Sequence, residues 1–345
     1  MTHTLHLPAL DGRDPLGFLA SLGLLRLLAE DGADVRLSFS EETATAVLHG
    51  PYGSADEVAA VLHDVAARNP DSVIPGIPAG FPLAKIGTKG SDPMRVGRDE
   101  YRGHVETVRQ SVGQAALRWQ AAIATDLACD KEGKVILTPF FAPSGQQTVR
   151  SFFEKPVTMV RREPELLLEA LTSWRRVPGV TGEYLDHRVL RSKADHPRGE
   201  SAEIGVPGAT WLAIMALPLL RLTGDGVSAR STLWRRLPNR QAVMVWPVWR
   251  SPLGLPAVVA LIEHPAITID VADGRYVTDR TAWPALGVFA VAAATRRPVE
   301  GRKSAGVLTP VTVVPRADGR TSPVSRLRSA VQASRSGARS GVDRG

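Results

Sequence analysis

Thr138 to Arg150, TPFFAPSGQQTVR, gathers residue types suited to holding an anion. An apolar run through Val135, Ile136, Leu137, Phe140 and Phe141 breaks at Pro143, and Ser144, Gly145, Gln146, Gln147 and Arg150 follow. The pattern reads as a strand feeding the N-terminus of a helix, whose first N–H groups have no partner inside the helix. Two amides and a guanidinium beside such a start can bind phosphate. None of them is a nucleophile or a metal ligand, so the segment points to binding rather than chemistry. Ser144 and Gln147 also stand three apart, the spacing of a capping box, in which each side chain satisfies an orphan N–H. Capping of that kind leaves Gln146 and Arg150 free for a ligand.

Other reactive side chains are sparse. One cysteine, Cys129, excludes an internal disulfide and any multi-cysteine zinc cluster. It reads as a buried thiol, because no motif supplies the histidine a catalytic cysteine needs. Asp126 and Asp130 flank it at a spacing that capping and solubility explain. Asp186 and His187 approach the His–Asp pairing of several phosphohydrolases, but an adjacent pair reads as a surface feature. His187 and His196 lie too far apart, with too few carboxylates nearby, for a metal site. Walker, Rossmann, GxSxG and HExxH patterns are absent. The expectation is a non-catalytic protein with no cofactor and no metal; residues converging from distant positions are the exception that spacing does not reveal.

Positive charge is concentrated in loops. The chain has a net charge of +7 and a pI near 9.9. Residues 73–104 are rich in proline and glycine and carry Lys85, Lys89, Arg95, Arg98 and Arg102. Pro178 to Pro207 holds His187, Arg188, Arg191, Lys193, His196 and Arg198, and Arg296 to Ser304 holds Arg297, Arg302 and Lys303. Basic loops of this kind meet phosphates without reading sequence; a merely solvated loop is the other reading. From Pro315 to Gly345 seven arginines face Asp318 and Asp343, in a Ser/Gly-rich stretch nearly free of aromatics. Such a tail is expected to be disordered, and either contacts nucleic acid or is simply solvated.

The elements that position these loops form an α+β pattern. Leu5 to Leu10 is a short strand, and Asp14 caps a helix that begins at Pro15 and runs to Glu30, apolar on most of its circumference. Gly17 and Gly23 permit close packing of that helix against a sheet. Val35 to Ser40 and Thr43 to His49 read as a hairpin, and Ser54 with Glu57 opens a helix from Ala55 to Arg68. The order β-α-β-β-α begins a ferredoxin-like unit. An RNA-recognition fold begins the same way, but its stacking aromatics are missing from TATAVLH. Later elements are a long helix from Val105 to Ala128, a helix from Pro164 to Arg176, and an apolar helix from Gly208 to Leu222 interrupted at Pro218. Strands are expected at Gln241 to Trp249 and Val307 to Val314, a short helix at Pro256 to Glu263, and a hairpin turning at Asp273-Gly274. Leu286 to Thr295 is either a small-residue helix or a buried strand. The division is a ferredoxin-like unit over 1–72, a helical region with basic loops over 73–207, a mixed α/β region over 208–314 and the tail over 315–345. The N-terminus has no charged region followed by an apolar one, and the longest apolar stretch, Trp211 to Leu220, is too short for a bilayer. The expected compartment is the cytoplasm of a prokaryote, with no membrane partner.

Four segments carry a family resemblance: LPALDGRDPLGFLASLGLLRLLAE, TPFFAPSGQQTVRSFFEKP, WLAIMALPLLRLTG and RRPVEGRKSAGVLTP. They resemble proteins of type I-G (formerly I-U) CRISPR loci, in particular the actinobacterial family described as an extension of the CRISPR helicase–nuclease. The likeness covers about residues 5 to 314 and transfers no catalytic chemistry. It implies membership in an RNA-guided interference system, as an effector subunit or a helicase–nuclease accessory. The leading expectation is a nucleic-acid-binding subunit that holds guide RNA or target DNA. Lys85, Lys89, Arg95, Arg98, Arg150, Arg297, Arg302 and Lys303 would neutralise phosphate, and Ser144, Gln146 and Gln147 would hydrogen-bond backbone or base. The alternative is an adaptor that docks the helicase–nuclease through an exposed apolar patch, with Trp246, Trp249 and Trp283 as candidates. A metal-dependent nuclease using Asp186 or His187 is the third reading.

Overall fold

Asp14 and Pro15 start a helix that is buried over almost its whole length. The computed structural model describes residues 2–84, 92–111, 113–143, 147–189, 203–298 and 306–316. Strand β1 (His3–Asp11) leads into α1 (Pro15–Glu30), where Asp14 Oδ1 accepts from the N–H groups of Leu16 and Gly17 at 3.0 and 3.2 Å. Every residue of α1 from Pro15 to Leu28 is buried, as its nearly continuous leucine surface requires. Strands β2 (Arg36–Phe39) and β3 (Thr45–Gly50) follow, in the sheet order β1-β3-β2 with both outer strands antiparallel to β3. Helix α2 (Ala55–Ala67) is capped by Ser54, while Glu57 reaches back to the Gly53 N–H, one residue earlier than a capping box requires. Among the described residues no fourth strand joins this sheet, apart from one bridge between Leu37 and Leu253.

The helix expected over Val105 to Ala128 is three elements. Helix α3 (Arg98–Ser111) starts seven residues earlier, inside the stretch read as a loop. Gly113, at φ +90°, separates it from α4 (Gln114–Ile123). The chain then turns into β4 (Ala124–Cys129), paired with β5 (Val135–Leu137). Asp130 builds the connecting turn by accepting from the N–H groups of Glu132 and Lys134. Strand pairing here overrides a helical pattern of small residues.

Helix α5 (Val149–Arg162) is capped by Thr148 in a reciprocal box with Ser151. Ser144, expected in that role, lies outside the described residues. Helix α6 (Glu165–Thr172) stops before Arg175 and Arg176, which pair instead with Glu163 and Glu169 and with Asp186. Strand β6 (Val177–Pro178) pairs with β7 (Ile204–Gly205), and between them the chain makes 3-10 turns at Gly182–Tyr184 and His187–Val189. Helix α7 (Pro207–Met215) ends in a 3-10 turn at Leu217–Leu219 that absorbs Pro218. Gly23 lets α1 cross α7 directly, since a Cβ there would stand 1.8 Å from the Leu212 carbonyl oxygen. The expected partner was a sheet; the observed one is a helix. Gly17 approaches the backbone of Asp11 at the end of β1.

The remainder is mostly antiparallel: β8 (Leu222–Gly224), β9 (Ala229–Ser231), β10 (Trp234–Arg236), β11 (Ala242–Trp249), α8 (Leu255–Ile262), β12 (Asp270–Ala272), β13 (Arg275–Thr278), α9 (Trp283–Leu286), β14 (Val288–Arg297), β15 (Val307–Val311) and β16 (Val313–Pro315). The stretch expected as a helix or strand over Leu286 to Thr295 is a strand from Val288 on, with Leu286 ending α9. A four-stranded sheet has the order β10-β11-β14-β15, and Asp273 and Gly274, both at positive φ, turn β12 into β13. Trp246 and Trp249 of β11 are fully buried, donating to the carbonyls of Gly12 and Leu37 at 2.7 and 2.8 Å. One hydrophobic cluster runs from Leu7 through α1, α7 and β11 to Leu308. No helix among the described residues is long and apolar enough to cross a membrane.

Candidate functional site

The N-terminus of α5 already holds an anion, and it comes from the chain itself. Asp92 Oδ2 accepts from the Val149 N–H at 2.8 Å, which is where the helix dipole favours negative charge. Arg150 turns toward the preceding basic loop, donating to the carbonyls of Ala79 and Pro82 at 2.8 and 3.1 Å. The two sides of the 73–104 loop are thus fastened to the first turn of α5. Gln147 beside them is half-buried. Ser144 and Gln146 lie outside the described residues, as do Lys85, Lys89, Arg302 and Lys303. Arg95, Arg98 and Arg297 are exposed.

A second fastening is made by Arg296, the neighbour of the expected Arg297. Its guanidinium donates to the carbonyls of Pro139, Phe140, Tyr184 and Gly306, at 2.8 to 3.2 Å. Burial lowers its pKa to about 9, which keeps it cationic at neutral pH. Ala142, Tyr184, Val189 and Val307 pack into a small apolar cluster at the same place. Tyr184 donates its hydroxyl to Glu203, and Arg176 donates to the carbonyls of Arg188 and Ile204. The described ends of all three basic loops, and of the 144–146 segment, are therefore tied to the stretch from Pro139 to Arg150 and to Tyr184.

Tyr184 sits in a strained turn. Gly182, Glu183 and Tyr184 have φ of 55°, 51° and 58°, so two non-glycine residues in sequence occupy the left-handed region. Each costs on the order of 1–3 kcal/mol and persists because its surroundings fix it. Glu183 is 3% exposed. Burial raises its pKa to about 8, against the smaller opposing pull of Lys155 and a hydrogen bond from Thr181. Its Oε2 has no hydrogen-bond partner among the described residues.

Asp186 and His187 are not a surface pair: Asp186 is fully buried. Asp14, Asp186 and His187 bring their ligand atoms within 4.8 Å of one another. Both carboxylates are already taken by guanidinium groups. Arg188 bridges Asp14 at 2.8 Å and Asp186 at 2.9 Å, and Arg176 reaches Asp186 at 2.7 Å. Burial alone would raise the Asp186 pKa, but the charges and hydrogen bonds of Arg188, aided by Arg176, hold it below the ordinary carboxylate value. Burial wins at Asp14, pushing it to about 6. This donor set suits an arginine–carboxylate lock between the start of α1 and the 186–188 turn better than a cation.

Sequence reasoning missed Glu183, Asp14 and Arg296 as site residues, because each acquires its character from partners far along the chain. The tryptophans proposed as a docking patch, Trp246, Trp249 and Trp283, are buried. Compared with known proteins, the chain matches no family model and no curated protein.

Proposed function

We propose that this chain is a non-catalytic nucleic-acid-binding subunit or accessory of a type I CRISPR interference complex, acting in antiviral defence. Its N-terminal β-α-β-β-α unit is read here as ferredoxin-like, with β3 inserted between β1 and β2. The observation that carries the binding reading is the common anchorage of the basic loops. Asp92, Arg150, Arg296 and Tyr184 tie the loop ends to one stretch of backbone. Cationic segments held together meet successive phosphates of one strand, and each contact adds counterion release to the affinity. Arg95, Arg98 and Arg297 supply exposed guanidinium groups on the described parts of those segments. The resemblance to type I-G proteins supplies the biological setting.

The test is fluorescence anisotropy of the purified chain with labelled single-stranded and duplex DNA and RNA at two salt concentrations. Replacing Arg95, Arg98 and Arg297 together by glutamate should weaken binding by roughly 10-fold or more and flatten the salt dependence. Binding by the parent protein that does not respond to salt would sink the proposal.

A further inference from the structure

A groove of about 1470 Å³ opens beside β5, walled by the β8–β9 hairpin, β10 with the turn after it, and the β12–β13 edge. That exceeds the ordinary size of a small-molecule pocket, about 300–1,000 Å³. Half-buried Leu137, Trp234 and Ile269 form its apolar floor, with the buried Ile267 also lining it. Its charges are unbalanced. Every carboxylate lining it is engaged: Asp225 with Arg230 at 2.9 Å, Asp270 with Arg316 at 2.8 Å, and Asp279 with the backbone N–H and hydroxyl of Thr281. Arg235, Arg236 and Arg240 also line it, and among the described residues none of them has a carboxylate partner. Among the described residues the Arg235 side chain finds one acceptor, the carbonyl of the adjacent Trp234.

The placement of these cations is costly. Arg240 has φ +67°, at a turn position where glycine or asparagine would be nearly free of strain. The described chain ends at Arg316 on the rim of the same groove. Residues 317–345 carry six further arginines against Asp318 and Asp343. Like charge argues against that segment as the occupant.

We infer that this groove binds single-stranded nucleic acid, with phosphates on Arg235, Arg236 and Arg240 and bases laid against the apolar floor. The inference rests on the nucleic-acid reading above and adds a site and a strand class. Unpaired bases can lie on an apolar surface while the backbone follows the cations, whereas a duplex keeps its bases stacked inside. An acidic peptide without aromatic side chains would satisfy the charges but offers the floor no planar faces.

The experiment uses the full chain and a labelled single strand of about a dozen nucleotides, within the span of known single-strand sites. Arg236 and Arg240 are exposed, so Arg236→Glu/Arg240→Glu should leave the melting temperature unchanged. Single-strand affinity should fall roughly 10-fold or more, with the salt slope shallower by at least about 1.4. Arg236→Lys/Arg240→Lys, which keeps the charge, should recover most of it. An equal-length duplex should bind more weakly than the strand, and polyglutamate should not displace the strand. Unchanged affinity in the glutamate variant, while the Arg95/Arg98/Arg297 variant loses binding, would overturn the groove and leave the proposed function standing. A parent protein that binds no nucleic acid would remove both. Displacement by polyglutamate at equal charge would assign the groove to an acidic partner and overturn the inference.

Discussion

Glu183 carries a testable cost. Its carboxyl is buried without a full set of partners, so the folded protein keeps it protonated to about pH 8, while an unfolded chain releases the proton near 4.5. Between those values the native state binds the extra proton, and stability must fall as pH rises, by up to about 1.4 kcal/mol per pH unit from this group. Glu183→Gln preserves shape and removes the ionisation. The variant should gain stability relative to the parent at pH 7.5 and show little difference at pH 4.5, measured by urea unfolding. Parallel pH profiles for the two proteins would mean that the carboxyl is not held neutral. None of this was legible in the sequence, where TGEYLDHR looks like a polar loop. Glu183 adjoins a cluster in which Tyr184 and Val189 meet Ala142 and Val307, residues distant in the sequence on either side. The anionic preference of the α5 start, by contrast, followed from residue types alone. What spacing did not show was that Asp92 satisfies it internally.

Local rules wrote the first seventy residues. Asp14, Pro15 and the leucine run specify α1 to the residue, because cap, first-turn proline and all-round hydrophobicity agree. The Asp273-Gly274 turn was equally readable, since both residues tolerate positive φ. The region from 105 to 128 was not, because its alanines favour a helix throughout, and Gly113 and the Asp130 turn override them. Element packing supplies a second prediction. Gly23 faces the Leu212 carbonyl across the α1–α7 crossing, with no room for a methyl group. Gly23→Ala must push the helices apart and should cost about 1–3 kcal/mol despite alanine's better helix propensity. Gly103→Ala, in α3 with open space around it, is the control, and should be neutral or stabilising. Equal melting temperatures for Gly23→Ala and the parent would show that the crossing is looser than described.

At the scale of the whole molecule, the N-terminal sheet and α1 pack directly on β11. Loops suggest divisions after residues 72 and 207, and loops are what a single sequence displays most clearly. Burial runs across those divisions. Phe18 of α1 stacks on Trp246 at 5.5 Å between ring centroids, and Phe39 of β2 meets Trp249 edge-on at 4.9 Å. The indole N–H of Trp246 closes onto the Gly12 carbonyl, 234 residues away. A core shared in this way ties the N-terminal sheet to the C-terminal one, so neither can melt while the other keeps its buried face covered. Thermal unfolding should therefore give coincident transitions in far-UV circular dichroism and in tryptophan fluorescence. Trp246→Phe keeps an aromatic ring there but strands the Gly12 carbonyl, a loss of about 1–3 kcal/mol. Its effect should be a downward shift of both transitions together. Two separated transitions, with the substitution moving the later one alone, would mean that the N-terminal sheet is stable without β11.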